Sequence, residues 1–321
     1  NQEPIAALTQ RFIDAMHADA KTLNLLWPDH EPRATHYIAQ MQGLIGRLIE
    51  RDMAYQGVDG DVNYAVRQFP SYGKLSGKSI DELQVGERVA ISGSKRDPLD
   101  FVLWKSAKTE EPSDTRWASP WGEGRPGWHI ECSVMSCELL GQHFDIHGGG
   151  ADLQFPHHEN EIAQSEGAMY GSGSIDQPVV RYWMHNGHIR VNHEKMSKSL
   201  GNSIFASDLL AAGRGIAVRY YLGSAHYRSV LDYHEGVLDE AESAISRIET
   251  FIDRATRRLA DTKFAASPKL PSDLVSVLPA EFISAMDDDL AIPAALGALH
   301  ETVRGGNSSL DAEDLEATAK A

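Results

Sequence analysis

The stretch from residue 128 to residue 161 constrains this chain most, because it gathers side chains that bind transition metals. It contains Cys132, His157 and Glu161. His157 and Glu161 are four residues apart, so on a helix they would share one face, one turn apart. Thiolate, imidazole and carboxylate are ordinary zinc ligands, and three of them leave one position of a tetrahedral ion open. These residues are compatible with a metal site, but a single cysteine is more often a small buried core residue, and the spacing alone does not decide between the two.

A second stretch is short, basic and rich in hydroxyl groups. It reads Lys195-Met196-Ser197-Lys198-Ser199 and is followed by Leu200-Gly201-Asn202. Lysines, serines and free backbone amides suit a phosphate group, whose charge is spread over several oxygens. On charge patterning alone, a solvated lysine loop would explain the same residues.

Four segments together carry a specific family resemblance. In chain order they are Gly127-Trp128-His129-Ile130-Glu131-Cys132, the glycine-rich segment from Gly148 to Asp152, Phe155-Pro156-His157-His158-Glu159-Asn160-Glu161, and Lys195-Met196-Ser197-Lys198-Ser199. With these motifs in this order, the chain resembles the cysteinyl-tRNA synthetases, a family of class I aminoacyl-tRNA synthetases, over nearly its whole length.

The resemblance implies a reaction and its participants. L-Cysteine would be activated by ATP, with Mg²⁺, to cysteinyl-adenylate, and its acyl group would then pass to tRNA(Cys). One Zn²⁺ per chain, held by Cys132, His157 and Glu161, would select the substrate thiol, with a fourth ligand from a cysteine that the family carries upstream. Such selection is needed because a hydrophobic pocket discriminates poorly between isosteres, and serine differs from cysteine by one atom.

The resemblance also assigns roles around ATP. Lys198, and secondarily Lys195, would neutralise the triphosphate in the transition state, where positioning and charge stabilisation dominate. Ser197 would join them in binding ATP. Gly149 and Gly150 would let the backbone approach the adenosine. Asp152 would accept either the ribose hydroxyls or the substrate ammonium group, and the sequence leaves both roles open.

Three further side chains are expected near the substrate thiol: Trp128, His129 and His147. An aromatic face suits a soft sulfur atom, so Trp128 would form one wall of the pocket. A core tryptophan is an equally good interpretation of that residue. His129, His147 and His158 are candidates to orient the metal ligands.

The fold class that follows is α/β, with a class I Rossmann-like nucleotide-binding domain followed by an α-helical bundle. Residues 1–120 would be the insertion that splits the catalytic domain. Residues 121–225 would be its second half, with the zinc site and the lysine loop, and residues 226–321 the bundle on the tRNA stem and anticodon side. The family's His-Ile-Gly-His signature is not in the sequence, and no cysteine precedes Cys132. We therefore expect the natural protein to extend upstream, and also beyond Ala321.

Local patterns predict several elements. Amphipathic helices are expected around residues 5–16 and 38–49, from the spacing of their apolar residues. Strands are expected at residues 61–66, 100–105 and 179–184, and a hairpin arm at 188–191. The segments 110–126 and 147–150 are expected to be a loop and a turn. The chain is expected to be helical from residue 207, apart from a linker at residues 264–279.

Composition narrows the class of protein. Hydrophobic residues make up 42% and charged residues 24% of the chain, as in ordinary globular proteins. Its only cysteines are Cys132 and Cys137, so a disulfide framework is not expected. No apolar run approaches the roughly 18 residues of a membrane span, and we expect a cytoplasmic monomer that does not bind membranes. The net charge of −16 argues against a protein that coats nucleic acid, but a local basic surface can still attract tRNA.

Two alternatives stay open at this stage. One is the related ligase that joins activated cysteine to an amino sugar in mycothiol synthesis. Glu161, four residues after His157, favours the synthetase. The other is a synthetase-derived zinc- or RNA-binding protein without catalysis, against which the complete lysine loop argues.

Overall fold

The computed structural model describes residues 3–80, 95–196, 200–265 and 275–320. Its α-helices are, in chain order, α1 (Ile5–Thr22), α2 (Ile38–Glu50), α3 (Trp128–Leu140), α4 (Glu159–Tyr170), α5 (Ala206–Ala211), α6 (Gly215–Gly223), α7 (Val237–Leu259), α8 (Ala280–Asp287), α9 (Ile292–Asp311) and α10 (Leu315–Lys320). Within these ranges, every helix is too short or too polar to cross a lipid bilayer.

The strands of the described residues form three small sheets. They are β1 (Ala54–Gln56), β2 (Val62–Tyr64), β3 (Phe101–Ser106), β4 (Gly124–Pro126), β5 (Phe144–Gly150), β6 (Val180–Asn186), β7 (Ile189–Val191), β8 (Glu194–Lys195) and β9 (Leu231–Tyr233). The order β1-β2-β3-β4 is antiparallel throughout, β5 and β6 are parallel, and the third sheet has the order β8-β7-β9.

The chain divides into two compact units. The first contains residues Asn1–Arg11 and Trp27–Asn186, and the second contains Phe12–Leu26 and Gly187–Ala321. The metal-ligand candidates all belong to the first unit, whereas Lys195 belongs to the second.

The core of the first unit is built on α2, whose apolar residues recur at helical spacing. Met41, Ile45 and Leu48 are completely buried in one cluster with Tyr64 of β2 and Trp104 of β3. The same cluster includes residues of α3 and α4. Each fully buried side chain of this size contributes about 1.5–3 kcal/mol of hydrophobic stabilisation. The core therefore fixes the two helices that carry the candidate ligands.

The second unit has a smaller core. Ala217, Val218 and Tyr221 of α6 are buried together with Leu238 and Ala241 of α7. The hairpin arm predicted at residues 188–191 is confirmed, since β7 pairs antiparallel with β8.

Three local predictions were wrong. Residues 147–150 are not a turn, because they continue the parallel pairing of β5 with β6 from His147 and Trp183 up to Gly150 and Asn186. The segment predicted as a loop contains β4, where a Cβ on Gly124 would lie within 2.3 Å of the Lys105 carbonyl oxygen. Glycine thus permits a close strand contact there. Strand β9 interrupts a region that was expected to be helical.

Candidate metal centre

The three predicted metal ligands come together from two neighbouring segments. Cys132 lies near the start of α3, and Glu161 lies in the first turn of α4. His157 belongs to the short turn Gln154–His158 that leads into α4. One ligand atom from each of the three lies within 4.8 Å of the other two. In a formed tetrahedral zinc site these separations would be about 3.3–3.8 Å, given bonds of about 2.0–2.3 Å, so small side-chain movements would complete the set.

The Glu161 carboxylate fits a cation. Its side chain is only 5% exposed, and Oε1 lies 2.9 Å from His157 Nε2. Nevertheless Oε1 accepts no hydrogen bond from the residues that the structure describes. A buried carboxylate oxygen without a hydrogen bond is unfavourable unless a positive charge compensates it. A metal ion at this position would supply that charge.

The Cys132 thiol also fits a metal better than it fits a free thiolate. Burial raises its pKa to about 12, and the negative charges of Glu161 and Glu131 act in the same direction. The thiolate is the form that binds metals. A bound cation would offset both effects and favour loss of the proton.

Neutral imidazoles surround the ligands. Burial, together with the neighbouring His157, lowers the pKa of His129 to about 4, and Nδ1 of His129 lies 2.8 Å from Nδ1 of His157. Burial lowers the pKa of His147, against the opposing effect of Glu161. Burial and three neighbouring histidines lower the pKa of His158 to about 3. Near neutral pH these rings are therefore uncharged and keep a nitrogen lone pair available.

Sequence reasoning missed two residues of this cluster, Trp183 and His185. Both lie on β6, where Trp183 is paired with His147 and His185 with Gly149 of β5. The Trp183 ring centroid lies 4.9 Å from that of His147 and 5.0 Å from that of His158. His158 Nδ1 lies 2.8 Å from His185 Nε2. The sequence predicts a strand here, but it does not reveal the parallel register that aligns β6 with β5.

A loop at residues 69–79 fixes the start of the ligand-bearing helix. The Ser76 backbone N–H donates to Glu159 Oε2 at 2.9 Å, and the Tyr72 hydroxyl donates to Asn160 Oδ1 at 2.5 Å. Gln154 donates from Nε2 to the Leu75 carbonyl oxygen at 3.0 Å. These bonds lie on both sides of His157 and directly before Glu161, so the loop restrains the ligands indirectly.

Trp128 is not a core residue, because it is 69% exposed. Its ring centroid lies 6.1 Å from that of His157, so it borders the cluster from the solvent side. Asp152 is exposed and lies just beyond the end of β5. A Cβ on Gly149 would lie 2.9–3.2 Å from Leu153 and His158, and one on Gly150 would lie 2.4 Å from Asp152 Oδ1. Both glycines therefore have a packing role within the chain itself.

The lysine loop is described only in part. Lys195 is exposed at the end of β8, and its carbonyl oxygen accepts a bond from Asn202 Nδ2 at 3.2 Å. Ser197 and Lys198, predicted to bind ATP, lie outside the described residues.

Comparison with known proteins gives a consistent result. Residues 1–243 match the tRNA synthetases class I (C) catalytic domain, and residues 281–321 match the DALR domain. The chain is 60% identical over 315 residues to the cysteine–tRNA ligase of Polynucleobacter asymbioticus, covering 98% of this chain and 65% of that protein. It is 55% identical over 313 residues to the cysteine–tRNA ligase of Ralstonia pickettii, covering 98% and 64%. The chain thus spans slightly less than two thirds of the length of these relatives.

Solved structures agree at the level of the fold. Methionyl-tRNA synthetase of Mycobacterium tuberculosis in complex with methionyl-adenylate is similar with a TM-score of 0.65 at 16% identity, covering 99% of this chain and 75% of that chain. The free form of the M. tuberculosis enzyme gives a TM-score of 0.54 at 14% identity, covering 99% and 73%. At such identities the likeness concerns the fold alone.

Proposed function

Because this chain belongs to the class I tRNA synthetases and carries their cysteine-type catalytic domain, we propose that it acts in cysteine–tRNA ligation. The carboxylate of L-cysteine attacks the α-phosphorus of ATP, giving cysteinyl-adenylate and pyrophosphate. The 3′-terminal adenosine of tRNA(Cys) then attacks the acyl carbon through a hydroxyl group and releases AMP. The observation that carries this proposal is the meeting of Cys132, His157 and Glu161 inside that catalytic domain.

These three residues would hold one Zn²⁺. The support is the set of three donor atoms within 4.8 Å of one another and the buried, unbonded Oε1 of Glu161. When bound, zinc would supply a Lewis acid that prefers a thiolate to a hydroxyl group, which favours cysteine over serine. The exposed Trp128 ring would cover the substrate sulfur, and His129 and His147 would line the same pocket.

The other predicted roles remain part of the proposal. Lys195 and Lys198 would neutralise the triphosphate of Mg²⁺-bound ATP, together with Ser197. Gly149 and Gly150 would let the adenosine lie against the end of β5, and the exposed carboxylate of Asp152 would bind the ribose or the substrate ammonium. In each case the protein contributes position and charge, which dominate phosphoryl-group chemistry.

We also propose the domain assignment of the sequence analysis, with boundaries at residues 120 and 225, and a cytoplasmic monomer that binds tRNA(Cys). The arginines of α7 are not equally suited to bind RNA. Arg254 pairs with Asp311 at 2.7 Å, and Arg258 lies 3.5 Å from Glu313. Both are engaged within the helical unit, which favours a structural role for these two.

Cysteine-dependent exchange of pyrophosphate into ATP, measured on the protein at its natural length, tests the proposal. Cys132→Ser should lose bound zinc and reduce exchange at least 100-fold, since the thiolate that would bind the ion directly is removed. Cys137→Ser is the matched control, because Cys137 lies on the same helix and is equally half-buried. It should keep both zinc and exchange.

Several outcomes would contradict the proposal. Serine competing within tenfold of cysteine in the zinc-loaded protein would refute selection by zinc. Exchange without transfer to tRNA(Cys), but with transfer to an amino sugar, would identify the mycothiol-type ligase instead. Absence of any exchange would favour a non-catalytic protein.

A further inference from the structure

We propose that His147, His158 and Glu161 form a second divalent-metal site, which shares Glu161 with the proposed zinc site. It is an accessory site that fills only when transition metal is in excess. The proposal depends on the proposed function only through the shared carboxylate, and it requires no catalytic activity.

The three side chains already have the arrangement of a ligand set. One ligand atom from each lies within 4.8 Å of the other two, the same criterion that the first set meets. His147 comes from β5, His158 ends the turn before α4, and Glu161 lies one turn further along. His158 and Glu161 are buried and His147 is nearly so. The site is therefore part of the packed first unit and not a surface cluster.

The two oxygens of Glu161 face different imidazoles. Oε1 lies 2.9 Å from His157 Nε2, and Oε2 lies 3.6 Å from His147 Nε2. A separation of 3.6 Å is too long for a hydrogen bond, and Oε1 accepts none from the described residues. The same carboxylate can therefore contribute Oε1 to the first set and Oε2 to a second cation held by His147 and His158.

One histidine of each set, His157 and His158, is supported in the same way. A histidine that binds a metal through one nitrogen commonly has its second nitrogen held by another group. His157 has its Nδ1 2.8 Å from His129 Nδ1, and His158 has its Nδ1 2.8 Å from His185 Nε2. The Trp183 ring lies beside both His147 and His158. The second set thus has its own positioning residues, none of which the first set uses.

The donor atoms define the class of ion. Two imidazole nitrogens and one carboxylate oxygen suit Zn²⁺, Co²⁺ or Ni²⁺, whereas Mg²⁺ and Ca²⁺ prefer oxygen ligands alone. The second set has no thiolate and only a share of one negative charge, so it should bind more weakly than the first. Occupation would engage the second oxygen of Glu161 and fill space beside His147, where we place the substrate thiol. Excess zinc should therefore compete with cysteine.

Titration with Co²⁺ separates the two sites by their spectra. The first set should give a thiolate-to-cobalt charge-transfer band, and the second should add only the weaker visible bands of nitrogen and oxygen ligation. In the unmodified protein we expect two equivalents, with the charge-transfer band saturating first. Cys132→Ser should lose that band and retain one equivalent. His147→Asn should keep the band and lose the second equivalent.

His143→Asn is the matched control, because His143 also lies beside β5 but belongs to neither set. It should bind both equivalents. A single equivalent in the unmodified protein, or two equivalents in His147→Asn, would overturn the second site. A nitrogen–oxygen spectrum without the charge-transfer band in the unmodified protein would support the second site and refute the zinc proposal, so the two failures are distinguishable.

Discussion

Helix α4 of the first unit and helix α7 of the second both carry many charged residues, but in opposite surroundings. On α4 the buried residues include Glu159, Asn160, Glu161, Gln164 and Glu166. On α7, a 23-residue helix, the only buried side chains are Leu238, Ala241, Phe251 and Leu259. Asp239 and Glu240 lie in the first turn of α7, and Arg257 and Arg258 lie in its last turn, where they complement the helix dipole.

The difference shows what holds each helix in place. Some buried polar groups on α4 have partners, such as the Ser76 N–H at Glu159 Oε2 and the Val179 N–H at Glu166 Oε1, whereas Glu161 Oε1 has none among the described residues. Each exposed ion pair on α7 contributes little to the free energy of unfolding. The burial of polar side chains on α4 therefore indicates a functional site. On α7 the charged side chains face solvent, and a few apolar residues pack against the rest of the unit.

The largest difference in stability between the two units should appear when one methyl group is added to each. In Gly167→Ala on α4, the new Cβ would lie 2.6 Å from the Tyr64 hydroxyl oxygen, so we expect a loss of about 1–3 kcal/mol from overpacking. In Gly297→Ala on α9, no atom lies within 4 Å of the new Cβ, so we expect a gain of about 0.5–1 kcal/mol from helix propensity. Denaturant unfolding measures both, and a gain in both variants would contradict the comparison.

Removal of one buried hydroxyl group should have the next largest effect. The Tyr64 hydroxyl donates to the Ala163 carbonyl oxygen at 2.7 Å in the core, so Tyr64→Phe should lower the free energy of unfolding by about 1–2 kcal/mol. Tyr227→Phe, which removes an exposed bond to Asp289, should change it less. Because Phe makes room for the methyl group, the double variant Tyr64→Phe/Gly167→Ala should be more stable than additivity predicts. Strict additivity would show that the two sites do not interact.

Glu166→Gln should make stability less dependent on pH. Burial raises the pKa of Glu166 more than the Val179 N–H lowers it. A raised carboxyl pKa contributes stability below the ordinary pKa, and this contribution is lost as pH rises through the raised value. The glutamine variant has no such loss, so its stability relative to the unmodified protein should rise between pH 4 and pH 7. The same change at the exposed Glu249 of α7 is the control, and equal pH profiles for both variants would be the contrary result.

The smallest effect is expected for Arg254→Gln on α7. Arg254 is 43% exposed and its partner Asp311 is 69% exposed, so the change should alter the free energy of unfolding by less than about 1 kcal/mol. It should alter it still less in high salt, which screens exposed charges. A loss above about 2 kcal/mol would contradict the comparison, because an exposed side chain of α7 would then stabilise the protein as much as the buried groups around α4.

Much of the fold was predictable from local patterns. The apolar spacing of α2 and the short apolar run of β3 both gave the correct element, and the motifs around Cys132 and Lys195 led to the family that the comparisons confirm. Helix α1 forms as predicted, but its apolar face is not part of a core, because none of its residues is buried. Periodicity indicates which residues share a face, but it does not supply the surface that covers them.

Within the candidate site, the sequence by itself determined which side chains are available and that His157 and Glu161 lie close together, although His157 belongs to the turn before α4. That much follows from spacing along one segment. Only the tertiary structure decided that Cys132 of α3 reaches them, and that Trp183 and His185 of β6 join His147 and His158. Those contacts depend on the parallel register of β5 with β6 and on the packing of α3 and α4 against the core formed by α2 and the first sheet. Such contacts join residues far apart in the chain, so their geometry is set by the burial of other residues.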